Sequence, residues 1–236
     1  MNILVIGPAG SGKSTFVKHF LDFLKENYYD VKAVNLDPAS DPIYDAHVDI
    51  RKFVKTEEVM KKFNLGINGA LIKSMEIALQ HVDEIIVKGD YILYDTPGQM
   101  ELFLYLKHGI EIAKKIADSD FTVGVFIVDS TVANSIENFV SILAQNAVIS
   151  LRMSIPTVTV FNKSDIVEIN FTPSNIRERL KDVEGLLAEI IEQMLGFVEY
   201  TTVRYRILKI SAINKKGFED VFSIINEVFC SCGDLS

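Results

Sequence analysis

Short apolar runs alternate with longer stretches of helical periodicity along the whole chain. The apolar runs "ILVI", "VGVFIV" and "TVTVF" lack the polar alternation of a half-exposed strand, so they are typical of strands buried on both faces. This alternation predicts an α/β fold whose central sheet is mostly or wholly parallel, with helices on both faces. The pattern predicts strands near 2–6, 31–36, 91–95, 121–128, 157–161 and 205–210, and helices near 13–27, 69–82, 100–117, 131–151, 174–195 and 217–229.

The connection between the second and third predicted strands covers roughly residues 38–90 and contains a helix. A connection of this length returns the chain in the same direction, which makes the two strands parallel. Asp37 and Asp95 end these strands. Because ligands bind at the carboxyl edge of an open parallel sheet, we expect both carboxylates beside whatever the first loop holds.

Composition limits the possible partners. The 236 residues are 48% hydrophobic and 24% charged, with a net charge of −8, which predicts one domain over 1–236 and no basic surface for nucleic acid or a membrane. The longest apolar run, 121–128, is too short to span a membrane. Cys230 and Cys232 are the only cysteines; we interpret them as ordinary helix-end residues of a cytoplasmic protein rather than as a metal or redox pair.

The first loop, "GPAGSGKST", matches the phosphate-binding pattern G-x-x-x-x-G-K-[ST] between a strand and a helix. Its glycines let backbone N–H groups surround phosphate oxygens, and the helix N-terminus adds a positive dipole. Lys13 is expected to reach the β- and γ-phosphates and the Ser14 hydroxyl to bind Mg²⁺. The pattern predicts a P-loop NTPase fold, but it does not distinguish ATP from GTP. The predicted nucleotide-binding residues of this loop are Gly10, Ser11, Gly12, Lys13, Ser14 and Thr15.

The segment "YILYDTPGQME", residues 91–101, brings further candidates to the phosphate end. Asp95 can hold Mg²⁺, through water, and Gly98 can offer its backbone N–H to the γ-phosphate. Gln99 is placed to orient a water molecule. The alternative for Gln99 is a solvent-facing polar residue at a helix start.

Two later motifs predict a guanine site. In "VFNKSD", Asp165 can accept hydrogen bonds from guanine N1–H and N2–H₂, which adenine does not provide. Asn162 and Lys163 are expected to brace this loop and cover the base. In "ISA", the N–H of Ala212 is a candidate partner for guanine O6.

The stretch "VNLDPASDP", residues 34–42, places Asp37 before a proline that directs the chain away from the sheet. Its carboxylate can help to hold Mg²⁺ or accept a proton from an attacking water; the alternative is an Asx turn. Downstream, Asp49 and Arg51 are either switch residues or an exposed pair, and for Arg51 we favour the pair.

The whole series of motifs resembles one family, the GPN-loop GTPases, and more closely its single-domain archaeal members. The resemblance rests on "GPAGSGKST", "NLDPA", "DIR", "YDTPGQMELF", "NKSD", "SA" and a glycine-flanked corner, "NLGINGALI" at 64–72. It implies an all-parallel sheet, with the family's insertion at approximately 50–90. It also implies a homodimer in which a Gly-Pro-Asn loop reaches the γ-phosphate region of the other subunit. The matching residues are Gly66, Ile67 and Asn68, so this chain carries isoleucine in place of proline.

The expected function is therefore a dimeric, Mg²⁺-dependent GTPase switch. Lys13, Gly98 and a partner's Asn68 would stabilise phosphate charge, while Gln99 and Asp37 position and activate water. An alternative is an assembly or targeting factor timed by slow hydrolysis, since the resemblance allows a protein client such as RNA polymerase. A P-loop phosphotransferase is a further alternative, against which "NKSD" argues.

Overall fold

The structure is a computed structural model, and it describes residues 1–171, 173–180, 185–201 and 207–233. Its strands form one seven-stranded sheet in the order β3-β2-β4-β1-β5-β6-β7. Every pairing is parallel, which confirms the predicted fold class. The strands are β1 (Asn2–Ile6), β2 (Val31–Asn35), β3 (Val48–Asp49), β4 (Tyr91–Asp95), β5 (Thr122–Asp129), β6 (Thr157–Asn162) and β7 (Leu208–Lys209).

Helices occupy most of the remaining described chain, with short 3₁₀ helices at Ile50–Lys52 and Ser130–Val132. The α-helices are α1 (Lys13–Glu26), α2 (Thr56–Phe63), α3 (Ile67–Gln80), α4 (Val82–Ile85), α5 (Met100–Tyr105), α6 (Lys107–Ser119), α7 (Ile136–Met153), α8 (Pro173–Leu180), α9 (Leu186–Thr201) and α10 (Phe218–Gly233).

The predicted helix at 100–117 is wrong as a single element. Leu106 has an extended backbone, with φ −89° and ψ 144°, and separates α5 from α6. The corner between them is tight: a Cβ added to Gly109 would lie 2.2 Å from the carbonyl oxygen of Phe103. The helical periodicity continues across this corner, so the sequence pattern does not reveal it.

The helix predicted at 174–195 is likewise two elements, α8 and α9, and residues 181–184 between them lie outside the described chain. The predicted connection at 38–90 contains the helix expected near 69–82 and several further elements. It holds β3, a 3₁₀ helix and α2 before α3 begins. β3 has only two residues, which is too short to produce a strand pattern.

Alternate residues of the sheet enter two separate hydrophobic clusters, one on each face. On one face, Ile3 and Val5 belong to a cluster with Phe16, Phe20 and Phe218 of α1 and α10. On the other face, Leu4 and Ile6 join a cluster built largely by α2, α3, α6, α7 and α9. The helices therefore cover both faces, as predicted. Burial of each large apolar side chain in these layers contributes about 1.5–3 kcal/mol.

Within the described residues, no helix combines the length and the apolar character needed to cross a membrane.

Candidate nucleotide-binding site

A cleft of about 450 Å³ opens at the carboxyl edge of the sheet. Asn35 of β2 pairs with Asp95 of β4, so the two strands end side by side and bring Asp37 and Asp95 to the same cleft. This is the juxtaposition that the long connection predicts. The lining residues are Ala9, Gly10, Gly12, Lys13, Ser14, Thr15, Asn35, Asp37, Ser40, Asp41, Pro42, Asp95, Thr96, Gly98 and Lys163.

The phosphate-binding loop has the backbone shape that its glycines predict. Gly10 and Gly12 have φ values of +78° and +92°, which side chains rarely tolerate. Gly12 is the N-cap of α1, and no side chain caps this helix end. The first N–H groups of α1 are therefore available to an anion.

Lys13 is almost fully buried in the loop, with 6% of its surface exposed. Its ammonium donates to the carbonyl oxygens of Gly7 and Pro8, at 2.9 and 3.1 Å. Burial lowers the pKa of Lys13, and the nearby carboxylates of Asp95 and Asp37 oppose that shift. Two acidic neighbours thus favour the charged ammonium, which is the form that attracts phosphate.

The two carboxylate oxygens of Asp95 differ in their hydrogen bonding. Its Oδ2 accepts a hydrogen bond from the hydroxyl of Tyr44 at 3.0 Å. Its Oδ1 is buried, and no described residue donates to it within hydrogen-bond distance. Burial raises the pKa of Asp95 to about 6, although the nearby Ser14 hydroxyl, Lys13 and Tyr44 lower it.

The chemistry of these groups fits Mg²⁺. Mg²⁺ prefers oxygen ligands, and in nucleotide sites it takes one or two protein groups and completes its shell with phosphates and water. The Ser14 hydroxyl and the unpaired oxygen of Asp95 match that requirement. Among the described residues, no group of three or more His, Cys, Asp or Glu side chains forms a metal cage, so phosphates and water would supply the remaining ligands.

Asp37 forms an Asx turn, the alternative considered from the sequence, through one of its two carboxylate oxygens. Its Oδ1 accepts from the Ala39 N–H at 2.9 Å. Its Oδ2 lies 3.4 Å from the N–H of Gly98. The Gly98 N–H expected to bind phosphate therefore faces a carboxylate here, and a phosphate oxygen would compete with Asp37 for it.

Asn162 joins the two halves of the predicted nucleotide site. It ends β6, is 3% exposed, and donates from Nδ2 to the Ser11 carbonyl oxygen at 2.9 Å. Its Oδ1 accepts from the Ala212 N–H at 3.0 Å. That N–H was predicted to meet guanine O6, so a base oxygen would have to share or replace this bond.

Lys163 and Asp165 follow Asn162 in the same loop. Lys163 has a positive φ of 64° and lines the cleft, and its ammonium lies 2.5 Å from Oδ2 of Asp129. Burial tends to raise the pKa of Asp129, but hydrogen bonds from Lys163 and Thr131 lower it overall. Asp165 is exposed, as a residue that meets an incoming base must be.

Two predicted catalytic residues do not line the cleft. Gln99 is the exposed N-cap residue of α5. Asn68 is also exposed, and it lies in the first turn of α3. The helix begins at Ile67 rather than at residue 69, so Gly66 is its N-cap and the glycine-flanked corner is the start of a helix. Helical hydrogen bonds order this corner, with Ala70 N–H donating to the Gly66 carbonyl oxygen at 2.9 Å.

The exposed pair proposed for Asp49 and Arg51 is wrong. The Arg51 guanidinium pairs with Asp41, and its side chain is only 13% exposed. The Asp49 carboxylate instead accepts from the backbone N–H of Arg51 and from the side chain of Asn35, at 3.0 and 2.9 Å. Asp49 thereby caps the 3₁₀ helix that follows β3.

Sequence reasoning missed three residues that organise the site: Tyr44, Asn35 and Asp129. Asn35 is 2% exposed, and its Oδ1 accepts from the Asp37 N–H at 3.0 Å. No quoted motif contains Tyr44 or Asp129, and Asn35 opens the motif "NLDPA" although no role was assigned to it. For Asn35 and Asp129 one signal was available, because each stands at the carboxyl end of a strand, where ligand-binding side chains collect.

Comparison with known proteins identifies the family to which the chain is similar. The model of a family described as "Conserved hypothetical ATP binding protein" matches residues 5–231. A GPN-loop GTPase of Pyrococcus abyssi is 30% identical over the full length of both chains. GPN-loop GTPase 1 of Saccharomyces cerevisiae is 33% identical over 80% of this chain, which spans 50% of that longer protein. A crystal structure described as a GTPase in apo form from Pyrococcus abyssi superposes with a TM-score of 0.86, at 28% identity and 98% coverage of both chains.

Proposed function

The chain belongs to the GPN-loop GTPase family and is thus a nucleotide-binding P-loop GTPase; from that premise we propose that it is a Mg²⁺-dependent homodimeric switch. It hydrolyses GTP to GDP and phosphate in the cleft at the carboxyl edge of the sheet. The two states of the switch are the GTP-bound and the GDP-bound protein.

The observation that carries the choice of GTP is the bridge made by Asn162. Because this side chain bonds both the phosphate-loop residue Ser11 and Ala212, the N-K-x-D loop is part of the same site as the phosphate loop. Asp165, three residues after Asn162, then presents a carboxylate to the base. Guanine can donate two hydrogen bonds to that carboxylate, whereas adenine would leave it unpaired.

The residues around the phosphates have separable roles. When the nucleotide binds, the Lys13 ammonium donates to phosphate oxygens instead of the carbonyl oxygens of Gly7 and Pro8. The Gly98 N–H donates to the γ-phosphate instead of the Asp37 carboxylate. Released from Gly98, the Asp37 carboxylate is available to orient the attacking water and accept its proton. Ser14 and Asp95 hold Mg²⁺, which when bound neutralises charge on the β- and γ-phosphates. Gln99 orients the water from the start of α5, and this role requires its side chain to turn into the cleft.

Asn68 completes the site of the other subunit. It is exposed and does not line the cleft of its own chain. Beside it, Leu65 and Ile67 expose 36% and 51% of their surfaces, which supplies apolar area for a contact between copies. A side chain amide at this tip provides the hydrogen-bond donors that phosphate needs.

Base recognition is tested by competition with ATP and by a substitution that should change which nucleotide base is preferred. The wild type should bind GDP and hydrolyse GTP in the presence of excess ATP. Asp165→Asn replaces one acceptor by a donor and should shift the preference from GDP to xanthosine diphosphate, which carries a carbonyl where guanine carries an amine. Equal binding of ATP and GTP by the wild type would refute the assignment.

The dimeric site is tested by co-expressing Lys13→Ala and Asn68→Ala chains so that their subunits mix. Each variant alone should be nearly inactive. Mixed dimers should regain GTP turnover, because one of their two sites has an intact Lys13 and receives Asn68 from the other chain. Mixed dimers that form but remain inactive would show that Asn68 does not act on its partner.

A second candidate function is a nucleotide-timed assembly factor for a protein client such as RNA polymerase, which the family resemblance allows. A groove of about 390 Å³ lies beside α5, which begins directly after the Gly98 and Gln99 segment. Tyr105, Val132 and Val148 line it, and all three are exposed. A change at Gly98 could therefore alter an apolar surface. Retention of a client by the protein bound to a GTP analogue, and its release with GDP, would support this function.

A further inference from the structure

Tyr44 is a buried residue in the polar segment between β2 and β3. Its side chain belongs to the hydrophobic cluster of α1, together with Phe16 and Ala33, and 9% of the residue is exposed. Neighbouring residues of the segment, Ser40 and Asp41, line the nucleotide cleft. The ring is therefore anchored in the core while the segment around it borders the site.

The hydroxyl of Tyr44 makes its hydrogen bond to one oxygen of Asp95, Oδ2, at 3.0 Å. The other oxygen, Oδ1, is buried and receives no hydrogen bond from the described residues. A buried carboxylate oxygen without a partner is costly, because it has lost water and gained nothing in return. The arrangement is explained if Oδ1 is kept for a ligand that the nucleotide brings.

We propose that Tyr44 is a positioning residue of the Mg²⁺ site, which holds Asp95 through Oδ2 so that Oδ1 is the oxygen offered to the ion or to its water shell. The inference rests on the proposed function, since Mg²⁺ enters this site with a nucleotide. Partners that orient a metal-binding carboxylate fix its rotamer, and their loss costs metal affinity even though they never touch the ion. Tyr44 thus also connects the segment bordering the cleft to the metal-binding carboxylate.

The test is Tyr44→Phe, which removes the hydroxyl and keeps the ring in its apolar cluster. Tyr91→Phe is the matched control. Tyr91 is also buried, at 8% exposed, and its hydroxyl donates to Asn226 at 3.0 Å, away from the cleft. Both variants lose one hydroxyl and one hydrogen bond from a side chain with a similarly small exposed surface.

Two readouts independent of turnover are used. The first is the Mg²⁺ concentration that half-maximally slows release of a fluorescent GDP analogue. The second is binding of Mn²⁺, as a spectroscopic substitute for Mg²⁺, to the GDP-bound protein by electron paramagnetic resonance. Tyr44→Phe should weaken both metal responses about tenfold, whereas its GDP affinity in excess EDTA should match that of the wild type. Tyr91→Phe should leave both responses unchanged.

The possible outcomes distinguish the positioning role of Tyr44 from the proposed Mg²⁺-dependent GTPase function. A wild type that binds no guanine nucleotide, or binds it without any response to Mg²⁺, would overturn both. A wild type that responds to Mg²⁺ with an unchanged response in Tyr44→Phe would overturn only the role of Tyr44, and would leave its hydroxyl a contributor to folding. Thermal unfolding of both variants is measured first, and the titrations are run at a temperature at which all three proteins are fully folded, so that a less stable variant still gives a decisive result.

Discussion

Replacing Asn162 by alanine tests whether one buried amide couples the phosphate loop to the base loop. The substitution removes the bond to the Ser11 carbonyl oxygen and the bond from the Ala212 N–H, at 2.9 and 3.0 Å. Ser11 and Ala212 are themselves 1% and 2% exposed, so water does not readily replace the lost partner. Two backbone groups from different motifs are left unsatisfied.

The expected loss of stability follows from the two backbone groups that lose their partner. A buried polar group that loses its partner costs about 1–3 kcal/mol. For two groups with partial relaxation we expect the free energy of unfolding to fall by about 2–4 kcal/mol. We expect GDP binding to weaken by about 10- to 100-fold, since each factor of ten corresponds to about 1.4 kcal/mol.

The assay is urea unfolding combined with GDP titration, and Asn146→Ala is the control. Asn146 is also 2% exposed, but its Nδ2 donates to the Thr157 carbonyl oxygen at 3.0 Å, between α7 and β6. This variant should lose stability and keep its GDP affinity. Equal GDP affinity in Asn162→Ala and the wild type would refute the coupling, and an equal loss in both variants would attribute the effect to general destabilisation.

Three further predictions concern the start of α3, the phosphate loop and Asp95. Ile67→Pro should raise the free energy of unfolding by about 0.4–1 kcal/mol, because Ile67 is the first residue of α3 and the extended backbone of Gly66 is compatible with a following proline. The control, Ile72→Pro within the same helix, should lower the free energy of unfolding by about 3 kcal/mol. Equal effects of the two substitutions in urea unfolding would contradict the assigned helix start. Gly12→Ala should weaken GDP binding at least about tenfold, because the added Cβ would lie 2.3 Å from the Asn162 amide. The control is Gly185→Ala, which has a φ of +111° and open space around it, and it should change the stability of the fold but not GDP binding. For the nucleotide-free protein in EDTA, burial raises the Asp95 pKa to about 6, so its contribution to stability is full below the ordinary aspartate pKa and is lost as pH rises through 6. The unfolding free energy of the wild type minus that of Asp95→Asn should therefore fall by up to about 3 kcal/mol between pH 4 and 7, and a flat difference would contradict the shift.

The sequence was most informative where a residue ends a strand. Asp95 and Asn162, which end β4 and β6, and Asp37, two residues after β2, could be placed at one edge because parallel strands deliver their carboxyl ends to the same side of the sheet. The ladder of backbone hydrogen bonds fixes these positions, so knowing the direction of a strand is enough to locate its last residue. The split of the helix at Leu106 was not predictable in this way, because apolar periodicity reports which face is buried and does not report a change of axis.

Tyr44 shows a different limit. Its ring lies in the hydrophobic cluster and its hydroxyl reaches Asp95, 51 residues away in sequence. A tyrosine in a polar segment has many possible partners, and only the folded chain selects one of them. The same holds for Arg51, whose neighbour Asp49 is close in sequence but whose guanidinium pairs with Asp41.

Asn68 and Gln99, the two predicted catalytic residues that do not line the cleft, occupy similar positions in the fold. Asn68 and Gln99 stand at exposed helix starts, whereas Lys13, at the buried start of α1, and Asp95, at the end of β4, are almost fully buried. Rigidly held residues would contact the phosphates in the same way in both nucleotide states, so they would not by themselves distinguish GTP from GDP. A switch needs groups whose contact with the γ-phosphate can be made and broken, and helix starts at the surface move at a lower energetic cost than strand ends. We therefore expect the single chain to contain a complete binding site and an incomplete catalytic one, which a turn of the Gln99 segment and a second copy's Asn68 would finish.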